Sequence, residues 1–138
     1  KIKEILLTHG HFDHVNGVPE FNALAYASEF DSAHLRELNP FFSDYSPPQV
    51  SCMDFTNYSF GDFNLRVIST PGHTHGSVCF FDEKRGLLFS GDTLFARGVH
   101  GRTDLFSSSA EEMQDSLAKL GKLKYCLLMP GHGEVERV

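Results

Sequence analysis

Three cysteines in 138 residues are too few and too scattered for a disulfide framework. Cys52, Cys79 and Cys126 form no Cys-X-X-Cys pair. Cys79 and Cys126 lie in apolar runs and are expected as buried thiols, which fits a reducing, cytoplasmic compartment. Basic charge is also short: 12 Lys and Arg against 18 Asp and Glu leave a formal net charge of -6 with no basic stripe, so nucleic acid is not an expected partner. No run of 18 apolar residues suggests a membrane span, and no signal peptide, repeat or low-complexity tract is expected. No Gly-X-Ser-X-Gly elbow occurs, and no cysteine adjoins the histidine motifs, which removes the usual covalent nucleophiles.

What is present is histidine at metal-ligand spacing. His9-Gly10-His11-Phe12-Asp13-His14 follows the apolar run Ile5-Leu6-Leu7, which reads as a buried strand ending in a loop. His9 and His11, two apart, reach one side of an extended segment, while Asp13 and His14 can address a second ion beside the first. Neutral imidazole and carboxylate suit zinc, iron or manganese. The plainer alternative is three polar histidines on a loop.

Three further strand exits end the same way. His73 follows Leu65–Thr70 and Pro71-Gly72, Asp92 follows Leu87–Ser90 and Gly91, and His132 follows Tyr125–Met129 and Pro130-Gly131. Strand ends on layered α/β folds are where rigid scaffold holds reactive loops. A single histidine after a strand means little; four such exits agree.

His9-X-His11-X-Asp13-His14, Pro71-Gly-His73, Gly91-Asp92 and Pro130-Gly-His132-Gly resemble, in order, the motifs of the metallo-β-lactamase fold superfamily. The resemblance implies two divalent metal ions, with zinc expected first and iron or manganese also compatible. His9, His11 and His73 would hold the first; Asp13, His14 and His132 the second; Asp92 would bridge them. The β-lactamases proper usually lack this full set, and their largest group has cysteine where Asp92 stands, which argues against antibiotic hydrolysis. The flavin-linked diiron branch has Glu at the position of His11.

Gly91-Asp-Thr-Leu-Phe95 and Gly101-Arg-Thr-Asp-Leu105 resemble the short glyoxalase II-like hydrolases. The implied reaction is attack on a thioester by hydroxide held between the metals, with Asp13 and Asp92 as the catalytic carboxylates and a small thiol-linked molecule as substrate. Two alternatives stay open: a mononuclear iron enzyme of persulfide dioxygenase type using His9, His73 and Asp92, and a non-catalytic metal-stabilised domain. Arg102 is a candidate substrate contact through its fork, or else pairs with Asp104 to tie down a loop. Tyr26 is a candidate substrate contact, or else core packing. Phe12, Phe41 and Phe42 are candidates for a substrate mouth. The oligomeric state is not readable.

The expected elements are strand 3–8, a ligand loop, strand 23–27, helix 29–38, a proline-bearing loop, and strands near 55–60, 63–69, 77–82 and 86–90. A helix over 109–120 is marked by Ser109 with Glu112 and a Gly121 stop, and strand 124–129 delivers His132. Residues 1–138 are expected as one metallo-β-lactamase-like domain of α/β (α+β) class. The superfamily opens with several strands before its first motif and continues after its last, so an αββα sandwich trimmed at both ends is expected.

Overall fold

Side-chain alternation along the strands decides the layering. The computed structural model describes residues 1–138. In β5 (Phe63–Ser69), β6 (Val78–Asp82) and β7 (Leu87–Gly91), successive residues point to opposite faces of one sheet. Leu65, Val78 and Phe80 pack together on the inner face, with Leu6, Met53 and Phe89 against them. Ile68, Cys79, Phe81 and Leu88 take the outer face, where Leu120 of helix α3 (Ala110–Leu120) closes over them.

The second sheet is smaller. It holds β1 (Glu4–Leu6), β2 (Leu24–Ala27) and β3 (Ser51–Cys52), all parallel and in that order. Its far side carries α1 (Phe12–Val15), α2 (Glu29–Ala33) and a core of Leu7, Val15, Ala25, Ala27, Leu35 and Tyr45. The order of layers is therefore helix, sheet, sheet, helix, the expected αββα class. No helix is long and apolar enough to cross a membrane.

The six-stranded sheet runs β4 (Asn57–Phe60), β5, β6, β7, β8 (Leu127–Pro130), β9 (Glu136–Arg137). β5 and β7 are each antiparallel to β6, and β8 is parallel to β7. Consequently β5, β7 and β8 run in one direction and deliver His73, Asp92 and His132 at one edge. The parallel β7–β8 pair needs a crossover, which α3 supplies. Ser109 caps α3 by accepting from the Glu112 N–H at 3.2 Å. Its own N–H goes to the Gly72 carbonyl at 2.8 Å, so the cap also fixes the turn before His73.

Several expectations need correction. The ligand loop contains α1, because His14 and Val15 N–H both return to the His11 carbonyl. The helix expected over 29–38 stops at Ala33, where His34 leaves helical backbone (φ -121°, ψ 25°), and a separate turn covers 35–38. Strand 124–129 begins only at Leu127. Cys126 is exposed rather than buried, since it precedes the strand and lies along the hairpin turn, its N–H on the Gly86 carbonyl at 2.9 Å. β3, two residues long, shows no alternation for sequence reading to detect.

Candidate metal centre

Seven ligand-type side chains from four strand ends meet at one edge of the sandwich. His9 and His11 follow β1, Asp13 and His14 sit in α1, and His73, Asp92 and His132 follow β5, β7 and β8. His11 Nδ1 approaches His73 Nε2 to 2.9 Å, and the His9 ring centroid lies 4.9 Å from that of His11 and 4.8 Å from that of His73. On the other side, His132 Nε2 is 2.9 Å from Asp13 Oδ2 and 3.3 Å from His14 Nε2. Asp92 stands between: Oδ1 is 3.3 Å from His14 Nε2, and Oδ2 is 3.5 Å from His73 Nε2 and 3.4 Å from His132 Nε2. The donor atoms of His9, His11 and His73 all lie within 4.8 Å of one another, as do those of Asp13, His14 and His132.

The protonation states suit cation binding. The His73 Nδ1–H donates to the Arg102 carbonyl at 2.9 Å, which leaves Nε2 as a lone pair facing the cluster in the neutral ring. Burial pushes His9 well below the usual imidazole value, and the His14, His73 and His11 rings push it further. Burial and the neighbouring His73 bring His11 down to about 4. Burial acts to raise the Asp92 carboxyl, but the adjacent His14 ring, with those of His73 and His132, holds it below the usual range. Neutral His9 and His11 beside an ionised Asp92 offer donor atoms suited to a divalent cation.

His9 Nε2, His11 Nε2 and Asp92 Oδ1 are buried without a hydrogen-bond partner. Three such atoms converging in one cluster leave a strong need for positive charge. The residues present therefore fit the binding of divalent cations.

Two residues that sequence reading passed over hold this arrangement. Asp31 of α2, fully buried, accepts from Gly10 N–H at 2.7 Å, Thr74 Oγ1–H at 2.8 Å and Gly76 N–H at 3.1 Å. It thereby ties the His9–His11 segment to the loop that carries His73. Asn39 accepts from Phe12 N–H at 2.6 Å and donates to the Gly10 carbonyl at 3.0 Å. The only signal for Asp31 was its place three residues after the cap Ser28, which reads equally well as surface polarity.

The substrate candidates divide. Arg102 lines a cavity beside His11 and His73, but its fork is engaged by Asp104 at 2.7 and 2.8 Å, so the loop-tying alternative matches its contacts. Tyr26 does not reach the cluster. Its neighbours Ala25 and Ala27 face the helices, so the pleat turns Tyr26 to the opposite side, where it meets Phe55 edge-on at 5.8 Å. His75 pairs with Glu112 at 3.2 Å, and His34 Nδ1 bonds the Phe30 carbonyl.

Gly131 is demanded by crowding. A β-carbon there would run into Asp92 Oδ1 and lie 2.7 Å from His14 Cε1. Gly131→Ala is expected to lower metal affinity by about 10- to 100-fold, the range for displaced ligand supports. Because the position is exposed in a loop, the melting temperature of the metal-free protein should stay close to that of wild type. Competition against a chromophoric chelator measures the affinity; undiminished binding would refute the steric account.

The family model of the metallo-beta-lactamase superfamily matches residues 1–132. The atrochrysone carboxyl ACP thioesterase of Aspergillus fumigatus is 32% identical over 136 residues, covering 98% of this chain and 39% of the relative. The hydroxyacylglutathione hydrolase of Pseudomonas savastanoi pv. phaseolicola is 38% identical over 125 residues, covering 89% of this chain and 44% of the relative. The chain thus spans less than half the length of these two curated relatives. Among solved structures, BLEG-1 B3 metallo-beta-lactamase superposes with a TM-score of 0.83 at 30% identity, over 98% of this chain and 71% of that one.

Proposed function

The chain belongs to the metallo-β-lactamase superfamily, and from that premise we propose that it is a dinuclear metal-dependent hydrolase of small thioesters, of hydroxyacylglutathione hydrolase type. The observation that carries this is the set of unpartnered buried atoms, His9 Nε2, His11 Nε2 and Asp92 Oδ1, inside a seven-residue donor cluster. Two relatives named for thioester cleavage support the choice of bond. His9, His11 and His73 would hold one cation, Asp13, His14 and His132 the other, and Asp92, with Oδ1 3.3 Å from His14 and Oδ2 within 3.5 Å of both His73 and His132, would lie between them. Zinc is the expected metal, with iron and manganese compatible with the same donors.

When bound, such a metal pair supplies a polarising charge for the carbonyl oxygen and water that is nucleophilic near neutral pH. The chain's own residues do the rest. Burial keeps His9 and His11 neutral, so their lone pairs stay available. Thr8 Oγ1, 3.2 Å from His9 Nδ1, and the Arg102 carbonyl on His73 Nδ1 fix the two rings. Asp13 and His132, with side chains 55% and 53% exposed, border the open side, through which substrate and water enter. Asp13, whose Oδ2 lies 2.9 Å from His132 Nε2 and would face the cation, would use its other oxygen, Oδ1, to take a proton from water and return it to the departing thiolate. A purely structural site would be closed; this one is open on that side. The three free cysteines fit a reducing, cytoplasmic setting.

The test pairs metal quantification of the protein as purified with a panel of thioesters that includes lactoylglutathione. Two metal ions per chain and thioester hydrolysis lost on chelation and regained on metal addition are expected. A β-lactam belongs in the panel because of the B3 neighbour; hydrolysis of it in preference to every thioester would overturn the reading. A single iron with sulfur-dependent oxygen uptake would establish the dioxygenase alternative instead.

A further inference from the structure

We infer that the cavity beside the cluster receives the acyl part of the substrate and selects a short apolar group, aromatic or aliphatic, over an anionic one; this rests on the thioester reading above. The cavity, about 350 Å³, opens onto His11, His73 and Asp92, so a group seated in it is held next to the reacting carbonyl. Its remaining walls are largely Phe12, Leu38, Phe41, Phe42 and Leu105. That volume is near the lower end for small-molecule sites, which favours a short acyl group over a long fatty chain.

The aromatic wall is held in place. Phe12 stacks on Phe42 with centroids 4.2 Å apart and ring planes at 19°, and Tyr45 braces Phe12 edge-on at 5.3 Å. Phe41 and Phe42, 79% and 45% exposed, present apolar surface to water that an acyl group would cover.

Charge points the same way. Arg102 is the one cation of the lining, and both arms of its fork already meet Asp104. An anionic acyl terminus seated against the phenylalanines would lose its hydration, while Asp104 holds the Nε and Nη2 edge of the one cation nearby. At His132 the surroundings differ: a second cavity of about 320 Å³ is lined by the exposed Arg97–Glu134 pair, and that side suits a polar thiol carrier.

The experiment uses the metal-loaded protein and thioesters that share one thiol, N-acetylcysteamine, with acetyl, butanoyl, hexanoyl, benzoyl, lactoyl and succinyl groups. kcat/KM is expected to rise about two- to fourfold per methylene from acetyl to hexanoyl. Succinyl should fall about tenfold below butanoyl, because its carboxylate is left unpaired. Phe41→Ala and Phe42→Ala should each flatten the chain-length slope, and Phe41, exposed, can be truncated without opening the core. A flat wild-type series, a preference for succinyl, or a slope unaltered in both variants overturns the assignment. Calorimetric binding of methyl and hexyl thioethers, which cannot be hydrolysed, separates the two readings. A chain-length slope in binding without turnover of any thioester sinks the hydrolase reading and leaves the cavity assignment standing. Turnover with no slope in either measurement does the reverse.

Discussion

Asp92→Ala is expected to lose thioester hydrolysis by about a thousandfold or more, since several kcal/mol of charge stabilisation go with the carboxylate. The side chain is 10% exposed and lies within 3.5 Å of His14, His73 and His132. No other carboxylate faces both halves of the cluster; Asp13 reaches only His14 and His132. Without it the two histidine groups would have to hold two like charges with nothing between them, so metal content should fall below two per chain. The backbone role of residue 92 survives, because its carbonyl still accepts the Gly101 N–H at 2.9 Å. Folding should therefore persist. The neighbouring histidines hold the Asp92 carboxyl below its usual range, so the truncation is expected to cost the metal-free protein a little stability near neutral pH without unfolding it. Thermal melts with and without chelator, beside metal analysis, measure this. Wild-type metal content together with wild-type turnover in Asp92→Ala would remove Asp92 from between the metals.

Local signals made the strand exits readable. Apolar runs bounded by Pro-Gly or Gly place β5, β7 and β8 to within a few residues, and Ser109 with Gly121 brackets α3. Once β7, α3 and β8 are assigned, a parallel crossover follows, and it carries Asp92 and His132 to one edge. What stayed hidden depends on distant partners. Asp31 meets Gly10, Thr74 and Gly76 at separations of 21, 43 and 45 residues, and an acidic residue on a short helix looks the same whether it faces water or a buried loop. Asn39, next to Pro40, reads as a turn residue, yet it holds the Gly10 carbonyl. Tyr26 reads from sequence as a substrate contact or as packing, and its pleat position favours packing: the residues on either side of it point to the helix layer, and the phenol points between the sheets. Arg102 was legible as a loop tie or a substrate contact, and only the paired distances to Asp104 separate those roles.

Asp31→Ala should carry the other large effect, on stability and on metal affinity together. The truncation strands the Gly10 and Gly76 amides and the Thr74 hydroxyl in the interior, which costs about 3 kcal/mol even if the loops partly relax. Burial raises the Asp31 carboxyl pKa, while the Thr74 hydroxyl and the Gly10 and Gly76 amides pull it back, so these donors stabilise the charged form. Gly76 is fitted to this carboxylate so closely that a β-carbon there would run into Ser28 Oγ and Asp31 Oδ1. Asp31→Asn keeps the volume and one acceptor oxygen but sets an amide N–H₂ against a donor, so an intermediate loss is expected. Because Asp31 joins the segments on either side of the cluster, its removal should also loosen His9 and His11 relative to His73 and weaken metal binding by about 10- to 100-fold. Metal titration well below the melting temperature separates this positioning role from simple unfolding. A variant that melts lower yet binds metal as wild type would make Asp31 a packing residue only, whereas graded affinity loss from Asn to Ala ties the carboxylate to the geometry of the histidines.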